Sequence, residues 1–167
     1  MGSTVPKQYL PLAGKTILEH TLKPFCEHSA IHSVVVVVAE NDKRWKSLPL
    51  ANHPKVHATT GGLQRYHSVL NGLKYIQNLT NTDDWVLVHD AARPCVRSDD
   101  IDSLIAAADT CTDGAILGLP VRDTMKRADN DRKIHETVNR DNLWHALTPQ
   151  LFRLSVLRKA IENTIVN

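Results

Sequence analysis

Residues 85–97 read W-V-L-V-H-D-A-A-R-P-C-V-R. Trp85, Val86, Leu87 and Val88 form a short apolar run rich in β-branched and aromatic side chains. That composition suits a strand buried on both faces of a parallel sheet. His89–Asp90 ends the run abruptly, Ala91 and Ala92 follow, and at Arg93–Pro94 the proline removes a backbone donor and closes the strand. A carboxylate, two residues with almost no side chain and a guanidinium therefore sit together just past a strand's carboxyl end. In open α/β sheets that edge binds ligands. Asp90 is suited to hold a metal or a sugar hydroxyl, Ala91 and Ala92 let a ligand approach the backbone, and Arg93 can grip a phosphate with two parallel hydrogen bonds. The same residues would also make a plain turn with a surface ion pair.

Working outward, the flanking segments alternate between helix and strand patterns. Thr16 and Glu19 make a T-x-x-E capping box, with Ile17, Leu18, Leu22 and Phe25 as the apolar stripe of a helix over 16–28. Ser33–Ala39 reads as a buried strand, 41–50 as a short helix and Lys55–Thr59 as a short strand. A helix over 63–77 rests on Val69, Leu70, Leu73 and Ile76, and residues 78–84 read as a polar loop. Ser98 caps a helix to about Thr110, with Asp99 and Asp100 at its positive end. Gly114–Leu119 reads as another strand. Val121–Lys126 and Lys133–Val138 predict a polar β-hairpin across a turn at 128–131. Trp144–Leu147 is short and apolar, broken by Thr148-Pro149-Gln150, and Leu151–Ile165 has helical spacing. The fold class is α/β: a Rossmann-like, mostly parallel twisted sheet with helices on both faces and a protruding hairpin arm.

A second candidate site opens at Gly61-Gly62. Two glycines between a strand and a helix let the backbone approach a ligand closely, and place the helix's first N–H groups near it. Arg65 lies in that helix's first turn, where the dipole disfavours a cation, and Ser68 follows three residues on. A glycine pair before a helix is also a common turn.

Composition narrows the function class. The chain has 167 residues, 42% of them hydrophobic and 23% charged, with a formal net charge of +2. That balance is too mild to argue for nucleic acid or a membrane surface, and it is compatible with small anionic substrates. Cys26, Cys95 and Cys111 are widely spaced without a CxxC pair, which fits a reducing cytoplasm better than a disulfide framework or zinc site. The nine histidines show no HExxH spacing, and no apolar run is long enough to span a bilayer. Nothing at the start reads as a secretory leader. One domain over 1–167 is expected, with 121–140 as its arm.

The motifs together resemble a known family. VHDAARP (88–94), PKQYL (6–10), GGLQRYHSVLNGL (61–73), PVRDTMK (120–126) and LWHALTPQLF (143–152) are similar, in the same order, to segments of the 2-C-methyl-D-erythritol 4-phosphate cytidylyltransferases of non-mevalonate isoprenoid biosynthesis. The resemblance covers essentially the whole chain. It implies CTP and an alditol phosphate as substrates, a divalent cation such as Mg²⁺, and pyrophosphate as the leaving group. By the same resemblance Lys7 stabilises the transition state, and Gly61, Gly62, Arg65, Ser68, Asp90 and Ala91 contact CTP. Thr124, Arg140, Thr148, Asp90 and Arg93 hold the sugar-alcohol phosphate. The hairpin over 121–140 becomes an arm that crosses to a second copy in a homodimer. An isolated two-stranded hairpin is marginal in water, which points the same way.

Two alternatives stand beside this reading: a sister enzyme for another alditol phosphate such as ribitol 5-phosphate, and a truncated, non-catalytic nucleotide-binding or dimerising domain. Family members open with a strand and an A-A-G-x-G-x-R-M loop that holds the triphosphate, and Met1 coincides with the last residue of that motif. They also carry a later T-D-[DE] segment and a lysine that this sequence lacks. Asn139 stands where some members have aspartate. The expectation is a partial sequence whose sheet is short of one central strand, so that two neighbouring strands each lack a ladder partner.

Overall fold

The computed structural model describes residues 5–80 and 84–166. Met1, which sequence reading aligned with the end of a glycine-rich motif, and part of the loop expected over 78–84 lie outside the described residues. A small antiparallel pair, β1 (Pro11–Leu12) and β2 (Lys15–Thr16), leads into helix α1 (Ile17–Glu27). The capping box forms as expected: Glu19 N–H donates to Thr16 Oγ1 at 3.2 Å, and Thr16 N–H donates to Glu19 Oε2 at 2.8 Å. Strand β3 (Val34–Val38) pairs in parallel with β4 (Val56–Thr60), Val36 opposite Ala58. Between them the expected short helix is instead two 3₁₀ turns, Trp45–Ser47 and Pro49–Asn52, because Pro49 cannot donate within a continuous α-helix.

Helix α2 (Arg65–Gln77) follows β4 and β5 (Trp85–Val88) follows α2. Helix α3 (Ser98–Ala107) is capped one residue earlier than expected. Arg97 is the N-cap, and its N–H donates to Asp100 Oδ2 at 3.0 Å. Strand β6 (Gly114–Pro120) precedes the hairpin β7 (Met125–Ala128) and β8 (Ile134–Val138). The last strand, β9 (Trp144–Arg153), is longer than the sequence suggested. It runs through Thr148-Pro149 and takes residues 151–153, which periodicity assigned to the final helix, so α4 starts later (Leu154–Val166). The strand survives its proline because residues 147–149 bulge past β6, where Ile116 pairs with Gln150 and Gly118 already pairs with Ala146. A proline in a bulge blocks no ladder bond.

Strand β9 lies between β5 and β6, antiparallel to both, so β5 and β6 run in the same direction. The carboxyl ends of β4 and β5 meet through Arg65 at the start of α2 and Asp90 just after β5, so these two strands also point the same way. Among these strands β3–β4 is the parallel hydrogen-bonded pair, and β9 pairs antiparallel with both of its neighbours. Alternation along β3 places helices on both faces. Val36 joins the core of α1 with Leu18, Leu22, Trp45 and Val56, while Val37 faces α2 at Gly72. Leu73 of α2, Val86 of β5 and Leu154 of α4 form a second core.

The composition of β5 suits a strand buried on both faces of a parallel sheet. Its one hydrogen-bonded neighbour among the described residues is the antiparallel β9, and β3 likewise has only β4. The free edges of β3 and β5 face a cavity of about 870 Å³, lined by Val34–Val37 on one side and Trp85–Val88 on the other. The open edge also explains why four of the five β3 valines are only half-buried.

Candidate active site

The site grows from the carboxyl edge of the sheet. Just past β5, Asp90 takes a guanidinium on each oxygen. Arg65 Nη2 donates to Oδ1 at 2.8 Å and Arg93 Nε donates to Oδ2 at 2.8 Å. Burial of the carboxyl acts to raise its pKa, but the hydrogen bonds and charges of Arg65 and Arg93 outweigh this and hold it below the ordinary carboxylate range. One anion between two cations leaves a net positive centre at the strand end. Both arginine side chains stay open to solvent, at 68% and 60% exposure, so their remaining donors can reach an anionic ligand. Ala91 stands exposed beside them and presents no bulk to a ligand.

The Asp90 loop is fastened by its own backbone and by the residue before it. Arg93 N–H donates to Asp90 O at 3.1 Å, and His89 Nε2 lies 2.9 Å from Arg93 O. A carbonyl only accepts, so the imidazole carries its proton on Nε2. Burial pushes the His89 pKa below the usual histidine value, against the hydrogen bond to Arg93 and the charge of Asp90, which favour protonation. The neutral ring packs on Phe25 of α1, centroids 5.1 Å apart. Its Nδ1 is buried and has no partner among the described residues. Leaving such an acceptor unsatisfied costs about 1–3 kcal/mol.

The glycine loop is packed closely on the helix it precedes. Gly61 N–H donates to Val38 O at 2.8 Å, which stitches the loop to the end of β3. A Cβ on Gly62 would lie 2.5 Å from His67 Cβ, and one on Gly61 would lie 2.9 Å from Ser68 Oγ. The two glycines are thus required by the close approach of the loop to α2's own first turns. Ser68 closes that approach, accepting Gly62 N–H at 3.0 Å. Arg65 and Ser68, read from spacing as sharing one face, have separate partners: Arg65 reaches Asp90 and Ser68 holds the loop.

The remaining expected residues make no bond to this cluster among the described residues. Lys7 is exposed on a 3₁₀ turn (Lys7–Tyr9) rather than in open loop. That turn is moored past the carboxyl end of β3, because Tyr9 Oη donates to Asp42 Oδ2 at 2.6 Å. The register of β9 pairs Val88 with Gln150, so the strand continues past β5 beside the Asp90 loop and carries Thr148 there. Thr148 Oγ1 is buried with no partner among the described residues. Thr124 precedes β7 and Arg140 follows β8, both exposed at the root of the arm, where Arg140 Nη1 donates to Arg122 O. Sequence reading gave His89 no role. The one signal for it was its position between a buried strand and the loop carboxylate.

Comparison with known proteins now decides the family. A family model for 2-C-methyl-D-erythritol 4-phosphate cytidylyltransferase matches residues 1–167. The chain belongs to this family. The cytidylyltransferase of Tolumonas auensis is 54% identical over 162 residues, covering 97% of this chain and 69% of the relative. That of Vibrio cholerae is 52% identical over 161 residues, covering 96% and 69%. Among solved structures, a 4-diphosphocytidyl-2C-methyl-D-erythritol synthase superposes with a TM-score of 0.86 at 40% identity, covering 93% of this chain and 74% of that one. The Francisella tularensis cytidylyltransferase gives 0.85 at 38% identity, covering 97% and 74%. The similarity to both structures supports the Rossmann-like nucleotidyltransferase fold expected from the sequence. Among the described residues no group of three or more metal-ligating side chains occurs, and no helix is long and apolar enough to cross a membrane.

Proposed function

We propose that this cytidylyltransferase joins CTP to 2-C-methyl-D-erythritol 4-phosphate. A phosphate oxygen of the acceptor attacks the α-phosphorus of CTP and forms the new P–O bond. The bond to the β-phosphate oxygen breaks, and pyrophosphate leaves with its electron pair. The other product is 4-diphosphocytidyl-2-C-methyl-D-erythritol. The nucleophile is already an anion, so no general base is needed, and the protein's work is positioning and charge neutralisation. The observation that carries this reading is the Arg65–Asp90–Arg93 cluster, set at the carboxyl ends of parallel strands in a chain matched along its whole length by the family model.

The roles proposed here are those the family resemblance implies. Gly61, Gly62, Ser68 and Arg65 shape the nucleotide side of the edge, with Asp90 and Ala91 completing it. Arg93, Thr124, Arg140 and Thr148 receive the acceptor phosphate and its alditol, and Lys7 neutralises charge on the reacting phosphorus. Magnesium ions are usually held by substrate phosphates with one or two carboxylates. Both Asp90 oxygens are taken by Arg65 and Arg93, so such an ion would rest chiefly on the triphosphate, whose charge it would neutralise. Apolar side chains stand in solvent on the arm and beside its root, Ile134 of β8 at 67% and Trp144 at the start of β9 at 62% exposure. We read its partner as a second copy of the chain, giving a homodimer. The unpaired cysteines Cys26, Cys95 and Cys111 suit a reducing cytoplasm. Phosphorus NMR of the protein with CTP, Mg²⁺ and the acceptor tests the reaction. A pyrophosphate diester should appear with free pyrophosphate in equal amounts, and hydrolysis of CTP without diester would refute it.

A further inference from the structure

We infer that His89 is a positioning residue, which fixes the aim of Arg93 through its carbonyl. Two of the bonds in the Asp90 loop are internal to it: Arg93 N–H to Asp90 O at 3.1 Å and Arg93 Nε to Asp90 Oδ2 at 2.8 Å. They are local to the loop and, without a tie to the rest of the fold, would open and reclose readily. The Arg65–Asp90 bond joins a side chain that is 68% exposed, which is a weak mooring. The bond from His89 Nε2 to Arg93 O at 2.9 Å refers the loop to strand β5. His89 is in turn held by Phe25, a buried residue of α1. A rigid path therefore runs from α1 through the imidazole to the backbone of Arg93.

The path depends on one donor atom. Only the Nε2–H tautomer can serve Arg93 O, and the bare Nδ1 has no use in holding the loop. Phenylalanine at this position would keep the packing on Phe25 and remove the unsatisfied acceptor, but it donates nothing. Glutamine places an amide N–H at similar reach and restores the donor.

The inference rests on the proposed cytidylyl transfer for its kinetic consequence and on geometry alone for its structural one, so the two can fail separately. The test compares the full chain with His89→Phe and His89→Gln. Amide exchange is followed by NMR, and steady-state rates are taken with CTP and the acceptor phosphate. H89F should keep the wild-type thermal midpoint or exceed it, while the Arg93 amide exchanges at least about tenfold faster. Its KM for the acceptor phosphate should rise about tenfold with kcat within about threefold, as for lost ground-state binding. H89Q should recover both. Unchanged Arg93 exchange in H89F overturns the inference. So does a midpoint that falls with faster exchange everywhere, since the role would then be structural, and so does an H89Q variant that behaves like H89F. A wild type without turnover would refute the reaction, and the Arg93 exchange would still decide the role of His89.

Discussion

Arg65 and Asp90 lie 25 residues apart in sequence and meet at 2.8 Å, joining the start of α2 to the end of β5. Both helix and strand are built by ordinary apolar packing, so the pair adds little to holding them together. An exposed ion pair of this kind is worth about 0–1 kcal/mol. Substituting Arg65→Met should therefore change unfolding free energy by less than about 1 kcal/mol. Cytidylyl transfer should nevertheless fall by about 10²-fold or more, because the guanidinium proposed to face CTP is lost. Chemical denaturation and pyrophosphate release, measured on the same preparation, separate the two effects. A variant that loses stability and activity in proportion would contradict this assignment.

The glycine loop makes a contrasting prediction. Gly62→Ala would place a methyl 2.5 Å from His67 Cβ, a contact with a fixed helical atom that cannot rotate away. It should destabilise the protein by about 1–3 kcal/mol, as overpacking does. Gly61→Ala meets the Ser68 hydroxyl at 2.9 Å, at the end of a short side chain, and should cost less. Urea midpoints at unchanged m-value would show this order, and the reverse order would show that the loop can shift away from α2.

Much of the fold is legible in the sequence, because its strong signals are local. The Thr16–Glu19 box, the valine run of β3 and the abrupt stop after Val88 each follow from composition and capping. The Thr148-Pro149 stretch misled, because a proline normally ends a strand and only the long-range register of β9 against β6 shows a bulge. Residues 151–153 fit a helical pattern but are held by pairing with β5 and β6, which periodicity cannot register. At the site, spacing pointed to Arg65, Ser68, Asp90 and Arg93. It did not show that Asp90 joins the two arginines or that His89 anchors Arg93, because both depend on atoms aligned in space.

Acid should loosen the mooring of the Lys7 turn. Asp42 accepts from Tyr9 Oη and from the N–H groups of Arg44 and Trp45. Burial pushes its pKa up, but these hydrogen bonds prevail and hold it below the ordinary value. Burial and then Asp42 push the Tyr9 phenol above its usual range, so it remains the donor. A carboxyl depressed in the folded state contributes stability that is complete above its unfolded pKa of about 3.9, and this is lost as pH falls through the folded value. Asp42→Asn removes that contribution. Its thermal midpoint, followed by tryptophan fluorescence from about pH 6 to about pH 3, should fall less steeply than the wild type. Parallel slopes would show that Asp42 is not tied to Tyr9 in solution.

The arm gives a prediction about assembly. Ile134 on the arm and Trp144 at the start of β9 are too exposed to serve the core of their own chain, and an exposed apolar patch marks an interaction surface. The wild type should sediment as a dimer, and Ile134→Glu as a monomer with unchanged far-ultraviolet circular dichroism. A monomeric wild type at micromolar concentration would contradict the homodimer.

The central claim is that the strand-end cluster serves transfer from CTP to methylerythritol phosphate. The most direct measurement is pyrophosphate release by the purified protein with CTP and Mg²⁺ in three parallel reactions: no acceptor, 2-C-methyl-D-erythritol 4-phosphate, and ribitol 5-phosphate. The account predicts release that depends on the methylerythritol phosphate and is near background in the other two. Release without acceptor, preference for ribitol 5-phosphate, or CTP binding with no release in any reaction would contradict it.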